Sequence, residues 1–188
     1  MLTRFLTAAS LVFALAASAA AQTNVLPPVP APTALQLFRS VQRQVLTYPH
    51  FSVFDSINAQ IKDGTVTLTG KVTMPYKSKD LEERVSRIKG IKGVNNQIEV
   101  LPASQSDDAL RNGIANAIYG NTAFAHYANQ ANPPIHIIVE RGRVVLEGVV
   151  ANDVDRTVAY SIASMFQAFS VKNALRTEEE VKKELSGL

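Results

Sequence analysis

The chain contains no cysteine. This excludes disulfide staples and thiolate chemistry, and no lipid-anchoring cysteine stands near the N-terminus. Histidine is nearly absent as well: His50, His126 and His136 are the three present. None stands at metal-ligand spacing from another histidine or a carboxylate pair, so no metal site is expected. No glycine-rich loop precedes a predicted helix, which removes a phosphate cradle. Excess charge of one sign is small, with a net of +3. The aromatics are not interleaved with a basic stripe, so no nucleic-acid partner is expected. No constellation of acid, base or nucleophile is visible. We therefore expect no catalytic residue, no cofactor and no small-molecule substrate. Past residue 17 no apolar run is long enough to span a bilayer, which takes roughly 20 residues.

The N-terminus carries what looks like an export signal. Arg4 precedes an apolar run, Phe5 to Ala17, and Ala19-Ala20-Ala21 fits a small-residue cleavage site. Residues 1–21 are expected to be a cleaved signal peptide, which places the mature protein in the periplasm. Residues 22–34 form a Pro-rich tether, because Pro27, Pro28, Pro30 and Pro32 favour an extended polyproline backbone. An ordinary unstructured N-terminus reads equally well from these residues. Between 35 and 102 there are ten Lys/Arg against six Asp/Glu, and between 110 and 176 six against four. The first segment is thus mildly basic, which favours anionic surfaces. A solvated mixed-charge surface is the plainer reading.

What the chain does have is an internal repeat. Residues 61–72 (IKDGTVTLTGKV) are echoed by residues 139–150 (VERGRVVLEGVV), offset by 78 throughout. Each copy reads as helix, strand, strand, helix, strand. In the first, Thr33 is a candidate N-cap. Phe38, Val41, Val45 and Leu46 form an apolar stripe that Pro49 ends. Residues 57–61 alternate apolar and polar, and Asp63-Gly64 is a hairpin turn. Val66, Leu68 and Val72 face inward, while Gly70 marks a close backbone approach under a helix. The second helix has Ser78 as N-cap, Leu81, Val85 and Ile88 as its stripe, and Gly90 as its stop. Residues 96–100 form the last strand. After a linker at 103–109, which ends in the capping residues Asp107-Asp108, the order recurs. Leu110, Ile114 and Ile118 lie on a helix stopped near Gly120. Ile135 to Val139 and Arg143 to Val150 form the hairpin. Val154, Val158, Ile162, Met165 and Phe169 keep rough helical register, and Val171 to Thr177 form the last strand. Residues 178–188 are a charged tail in which Val181 and Leu185 dock weakly.

The residues Gly64-Thr65-Val66-Thr67-Leu68-Thr69-Gly70-Lys71-Val72 and Gly93-Val94-Asn95-Asn96 resemble the BON (bacterial OsmY and nodulation) domain of envelope proteins. In the second copy the matching positions are Gly142, Val144, Leu146, Gly148, Val150, Val171 and Asn173. The resemblance covers 35–102 and 110–177. It implies an α+β fold of two tandem αββαβ domains, each a three-stranded mixed sheet with two helices on one face. It further implies an exported protein of envelope or osmotic stress that meets phospholipid surfaces, with no catalytic residue and no cofactor. The second copy departs from the pattern: Gly90 and Gly93 align with Ala168 and Ser170, and about five residues are inserted around Tyr127 to Pro134.

Mapping one copy onto the other exposes a difference of face. The outward strand positions Asn58, Gln60, Thr67, Thr69 and Lys71 become His136, Ile138, Val145, Glu147 and Val149. Ile138, Val145 and Val149 are expected to be covered by the other domain, the tail or a second molecule, since each contributes roughly 1.5–3 kcal/mol on burial. Tyr119 and Phe166 are the aromatics singled out for a lipid or partner surface. Phe124, Tyr127, Met165 and Phe169 read as core. The expected partner is a phospholipid surface or an envelope protein. Oligomerisation through the second sheet, or a chaperone-like role for that sheet and the exposed sheet edges, is the alternative.

Overall fold

A computed structural model describes residues 32–186. The expected signal peptide (1–21) and nearly all of the tether (22–34) lie outside these residues, as does the Leu185 side chain.

Helix α1 spans Ala34–Leu46. The Thr33 hydroxyl accepts from the Gln36 amide, and Gln36 reciprocates with the Thr33 amide, a complete capping box. Its buried stripe is Leu37, Val41 and Val45, whereas Phe38 and Leu46 are exposed. The predicted stripe was thus misphased at Phe38 and Leu46, because two apolar stripes run side by side on this helix and only one meets the sheet. Strands β1 (Ser56–Lys62) and β2 (Thr65–Val72) pair antiparallel around Asp63-Gly64, both at positive φ (53° and 85°). Two consecutive positive-φ residues match the right-handed twist of the hairpin. Helix α2 spans Pro75–Ser86 with Met74 at the N-cap, four residues earlier than the expected cap Ser78. Proline fits the first helical turn, where no amide partner is lost. Gly90 lies beyond the helix end, at φ 98°. Strand β3 (Gly93–Val100) then pairs parallel with β2.

The second repeat builds the same unit from α3 (Gln105–Tyr119), β4 (Ile135–Glu140), β5 (Arg143–Val150), α5 (Asp153–Ser164) and β6 (Ser170–Thr177). Between α3 and β4 lie a 3-10 turn, Thr122–Phe124, and a short helix α4, Ala125–Ala128, which runs into the insertion. These place Phe124 and Tyr127 in the core. Strand orders are β1-β2-β3 and β4-β5-β6. The fold is therefore α+β, with two tandem αββαβ units. A last helix, α6 (Glu178–Ser186), packs on β6 with Val181 half-buried.

Gly70 and Gly148 hold the same place in each repeat, at φ 124° and 126°. A Cβ on Gly70 would lie 2.0 Å from the Ser56 carbonyl oxygen, and one on Gly148 1.9 Å from that of Pro134. The close approach is to the backbone at the neighbouring strand's start, not to a helix. Asn96 and Asn173 are likewise shared. Each donates to a helix backbone carbonyl (Ser78 or Arg156) and accepts from the amide two residues on. Strand and helix are thereby tied by one side chain.

The repeats diverge in how they satisfy the start of their second helix. In the first, the fully buried Asp55 carboxylate accepts from the amides and hydroxyls of Ser52 and Thr73 and from the Lys77 ammonium at 2.7 Å. In the second, the Tyr127 hydroxyl accepts from the Ala151 amide at 2.7 Å and donates to Asp155 at 2.8 Å. Ala151 and Asp155 stand 78 residues after Thr73 and Lys77. Burial pushes the Tyr127 phenol up to about 12, so it stays a neutral donor.

Candidate functional site

Both repeats belong to one compact unit. The segment before β1 reaches across to the second repeat. Val53 accepts a hydrogen bond from the Ile137 amide at 2.7 Å, on the edge of β4 that β5 leaves free. Phe54 packs against the second repeat's core, and the Phe51 ring lies 5.3 Å from that of His136. Ser56 donates to Glu147, and Lys71 bridges Glu140 of the second repeat and Glu99 of the first. The outer faces of the two sheets, each with its helices on the opposite side, consequently line a shared cleft of about 560 Å³.

Of the residues singled out above, Ile138 is buried, and Ile138 and Val145 line this cleft. Val149 is half-buried beside Arg176 on β6. Residues of the first repeat stand opposite Ile138 and Val145 in this cleft. The Tyr119 hydroxyl donates to the Ile135 carbonyl at 2.5 Å and accepts from the Ile135 amide, and burial raises its phenol. Phe166 rests on α3, where a Cβ on Gly113 would meet its ring at 2.8 Å. Both aromatics are thus spent on packing and strand anchoring. Gly64, Gly142, Gly70 and Gly148 hold the positive-φ positions, and Gly93 and Val94 open β3. Among the described residues no group of three His, Asp or Glu side chains gathers to hold a metal.

A different surface stands out at the tip of the second repeat. The β4–β5 turn, Arg141-Gly142, has φ 52° and 72°. Its two amides donate to the buried Asp107 carboxylate at 2.7 and 2.8 Å. Asp107 therefore fixes this turn, while Ser104 caps α3; the sequence pattern had assigned Asp107 to the cap. Arg111 braces the same corner through the Val139 carbonyl and Asp108. The Phe169 amide donates to the Gly142 carbonyl at 2.8 Å, which seats its ring on the turn, with the Arg143 guanidinium 4.9 Å from the ring centre. Phe169 is 78% exposed and Met165 75% exposed. Both were expected in the core. Helix α5 ends at Ser164, so helical register no longer governs where they point. Neither Arg141 nor Arg143 has an ion-pair partner among the described residues.

The first repeat shows what changed. There Lys92 makes the same backbone bond to Gly64, at 2.9 Å, and its stem covers the turn glycine. The second repeat replaces that lysine by an aromatic side chain with the Arg143 guanidinium over its ring. Above that side chain, the outward face of α5 carries Val154, Thr157, Tyr160, Ser161 and Ser164, all exposed, and only Asp153 as a charge at its start.

A family model described as the BON domain matches residues 36–102 and 113–183. The chain belongs to the BON domain family. The two matched segments coincide with the two αββαβ units, so the tandem BON arrangement seen in the repeat is also the architecture of the fold. No curated protein is similar to this chain. Two solved structures of CdsD, a structural protein of the type III secretion system of Chlamydia trachomatis, are similar at 16% identity. One is its C-terminal domain, with 83% of this chain and 71% of that chain covered and a TM-score of 0.33. The other covers 80% and 97%, with a TM-score of 0.27. Superposition at that level transfers nothing about function. No helix among the described residues is long and apolar enough to cross a membrane.

Proposed function

We propose that this BON protein is a non-enzymatic, exported binding module of the periplasm that associates with phospholipid surfaces in envelope maintenance or osmotic stress. One observation supports this most: Phe169, seated on a rigid turn that carries Arg141 and Arg143 without ion-pair partners among the described residues, and Met165 at the end of α5 are both exposed. An aromatic or thioether side chain entering the headgroup layer, with guanidinium groups at phosphate height, is how a soluble domain holds a membrane interface. Anionic lipid adds about 1 kcal/mol per nearby cation and loses it with salt.

Co-sedimentation with vesicles tests the reading. The full chain should pellet with phosphatidylglycerol vesicles at low salt, less with phosphatidylcholine, and progressively less as salt rises. The Met165→Ser/Phe169→Ser pair should lower the partition by at least about tenfold, given up to about 1.5–3 kcal/mol per buried side chain. A chain that ignores anionic vesicles at low salt sinks the proposal. A second reading, a protein-interaction module, draws on β3 and β6, which are edge strands of their sheets. It predicts that the Met165/Phe169 pair leaves partner binding untouched.

A further inference from the structure

The cleft between the two sheets has a composition the membrane reading does not use. Its volume, about 560 Å³, falls in the range of small-ligand sites. Strand register sets Asn58, Thr69 and Gln97 in one row across β1, β2 and β3, on the face turned to the second repeat. None of the three side chains has a hydrogen-bond partner among the described residues, and Asn58 and Gln97 are exposed. The facing wall is Ile138 and its cross-strand neighbour Val145. Charges in the lining balance: Lys71, Arg141 and Arg143 against Glu99, Glu140 and Glu147.

We infer that this cleft takes a neutral polyhydroxylated ligand of the class of a short oligosaccharide. Amides and hydroxyls both donate and accept, as sugar hydroxyls do, and here they stand free in a regular row. An opposed aliphatic wall suits the C–H face of a sugar ring. The competing ligand classes fit less well. A polyanion or polycation meets a lining of zero net charge, whose Lys71, Glu99 and Glu140 are already paired with one another. An extended peptide pairs with a strand edge, whereas this cleft is lined by side chains on the faces of two sheets, and the β4 edge beside it is held by Val53. An acyl chain needs a long apolar channel, and only Ile138 and Val145 are apolar in this lining. The site is independent of the membrane proposal except that Arg141 and Arg143 border both.

The side-chain amide resonances of Asn58 and Gln97 in the isotope-labelled full chain provide the test. The probes are neutral trisaccharides of glucose, galactose, mannose and N-acetylglucosamine, with inorganic phosphate and glycerol 3-phosphate as anionic comparisons. At least one trisaccharide should shift both resonances saturably. Asn58→Ala with Gln97→Ala, followed through the backbone amides of Thr69 and Val145 in the same cleft, should weaken that binding at least about tenfold, as expected for losing one or two hydrogen bonds to the ligand. Thr69→Val, a near-isosteric change, provides a second variant that should weaken it as well. The inference is overturned if no trisaccharide shifts either resonance up to about 10 mM, a concentration that reports even the weakest useful affinities. It is also overturned if only the anions bind, or if binding survives all three substitutions.

Discussion

One backbone amide is served by a carboxylate in the first repeat and by a phenol in the second, and the two arrangements carry different risks. Removing the Asp55 carboxylate strands the Lys77 ammonium, which is 7% exposed. Loss of one partner of a buried pair costs about 3–5 kcal/mol. Asp55→Ala should therefore lower the urea midpoint steeply, and adding Lys77→Met should recover part of the loss. Tyr127→Phe removes a bond from the Ala151 amide and one to the Asp155 carboxylate, strands no buried charge, and should cost about 1–3 kcal/mol by the same measurement. Gly70→Ala and Gly148→Ala should each cost at least about 1–3 kcal/mol, since positive φ and contact with a carbonyl oxygen coincide there; thermal melts would show it. The turn glycines and the Thr33 cap were readable from sequence because their chemistry is local. Asp107 was not: its partners are 34 and 35 residues away, and nothing in their spacing marks them.

At the scale of elements, the order helix-strand-strand-helix-strand was legible twice over, because period-2 alternation and the shared glycines agree in both copies. What misled was phase and length. Phe38 lies one position from Leu37 on α1, and apolar composition cannot choose between adjacent stripes when both are apolar. On α5 the pattern was carried past the helix end, so Met165 and Phe169 were assigned to a core they never reach. The insertion was visible as extra length, yet the seating of Tyr127 in the core at its start depends on tertiary placement. The exposure of Phe169 was not legible, because its position depends on where α5 stops, whereas Tyr119 is held by Ile135 and Phe166 lies against α3.

For the whole molecule, docking of the two repeats rests on Phe54, the His136 contact and two side-chain bridges. Hydrogen bonding to Lys71 holds Glu140 below the ordinary carboxylate range. Burial lowers His136, whose Nδ1 is enclosed without a partner, although Asp55 and Glu147 pull the other way. The sign is the same for both. An undocked His136 binds a proton more readily, so docking is fully present above its ordinary pKa of about 6.5 and weakens as pH falls below that. Glu140 adds a second loss below about 4.5, its ordinary value. Small-angle scattering between pH 7.5 and 4.5 should show expansion on acidification, and His136→Phe should remove the step nearest neutrality. Phe54→Ala should expand the molecule even at pH 7.5.

The Val53–Ile137 bond is the one backbone hydrogen bond between the repeats among the described residues. The Ile137 amide is therefore sheltered from solvent deuterium only while the halves stay together. Where parting and closing are fast relative to chemical exchange, its protection factor measures the free energy of parting directly. If parting is local, that value falls below the protection of the Leu68 and Leu146 amides inside their own sheets. A single proton thus gauges what fraction of the time the two halves stand apart.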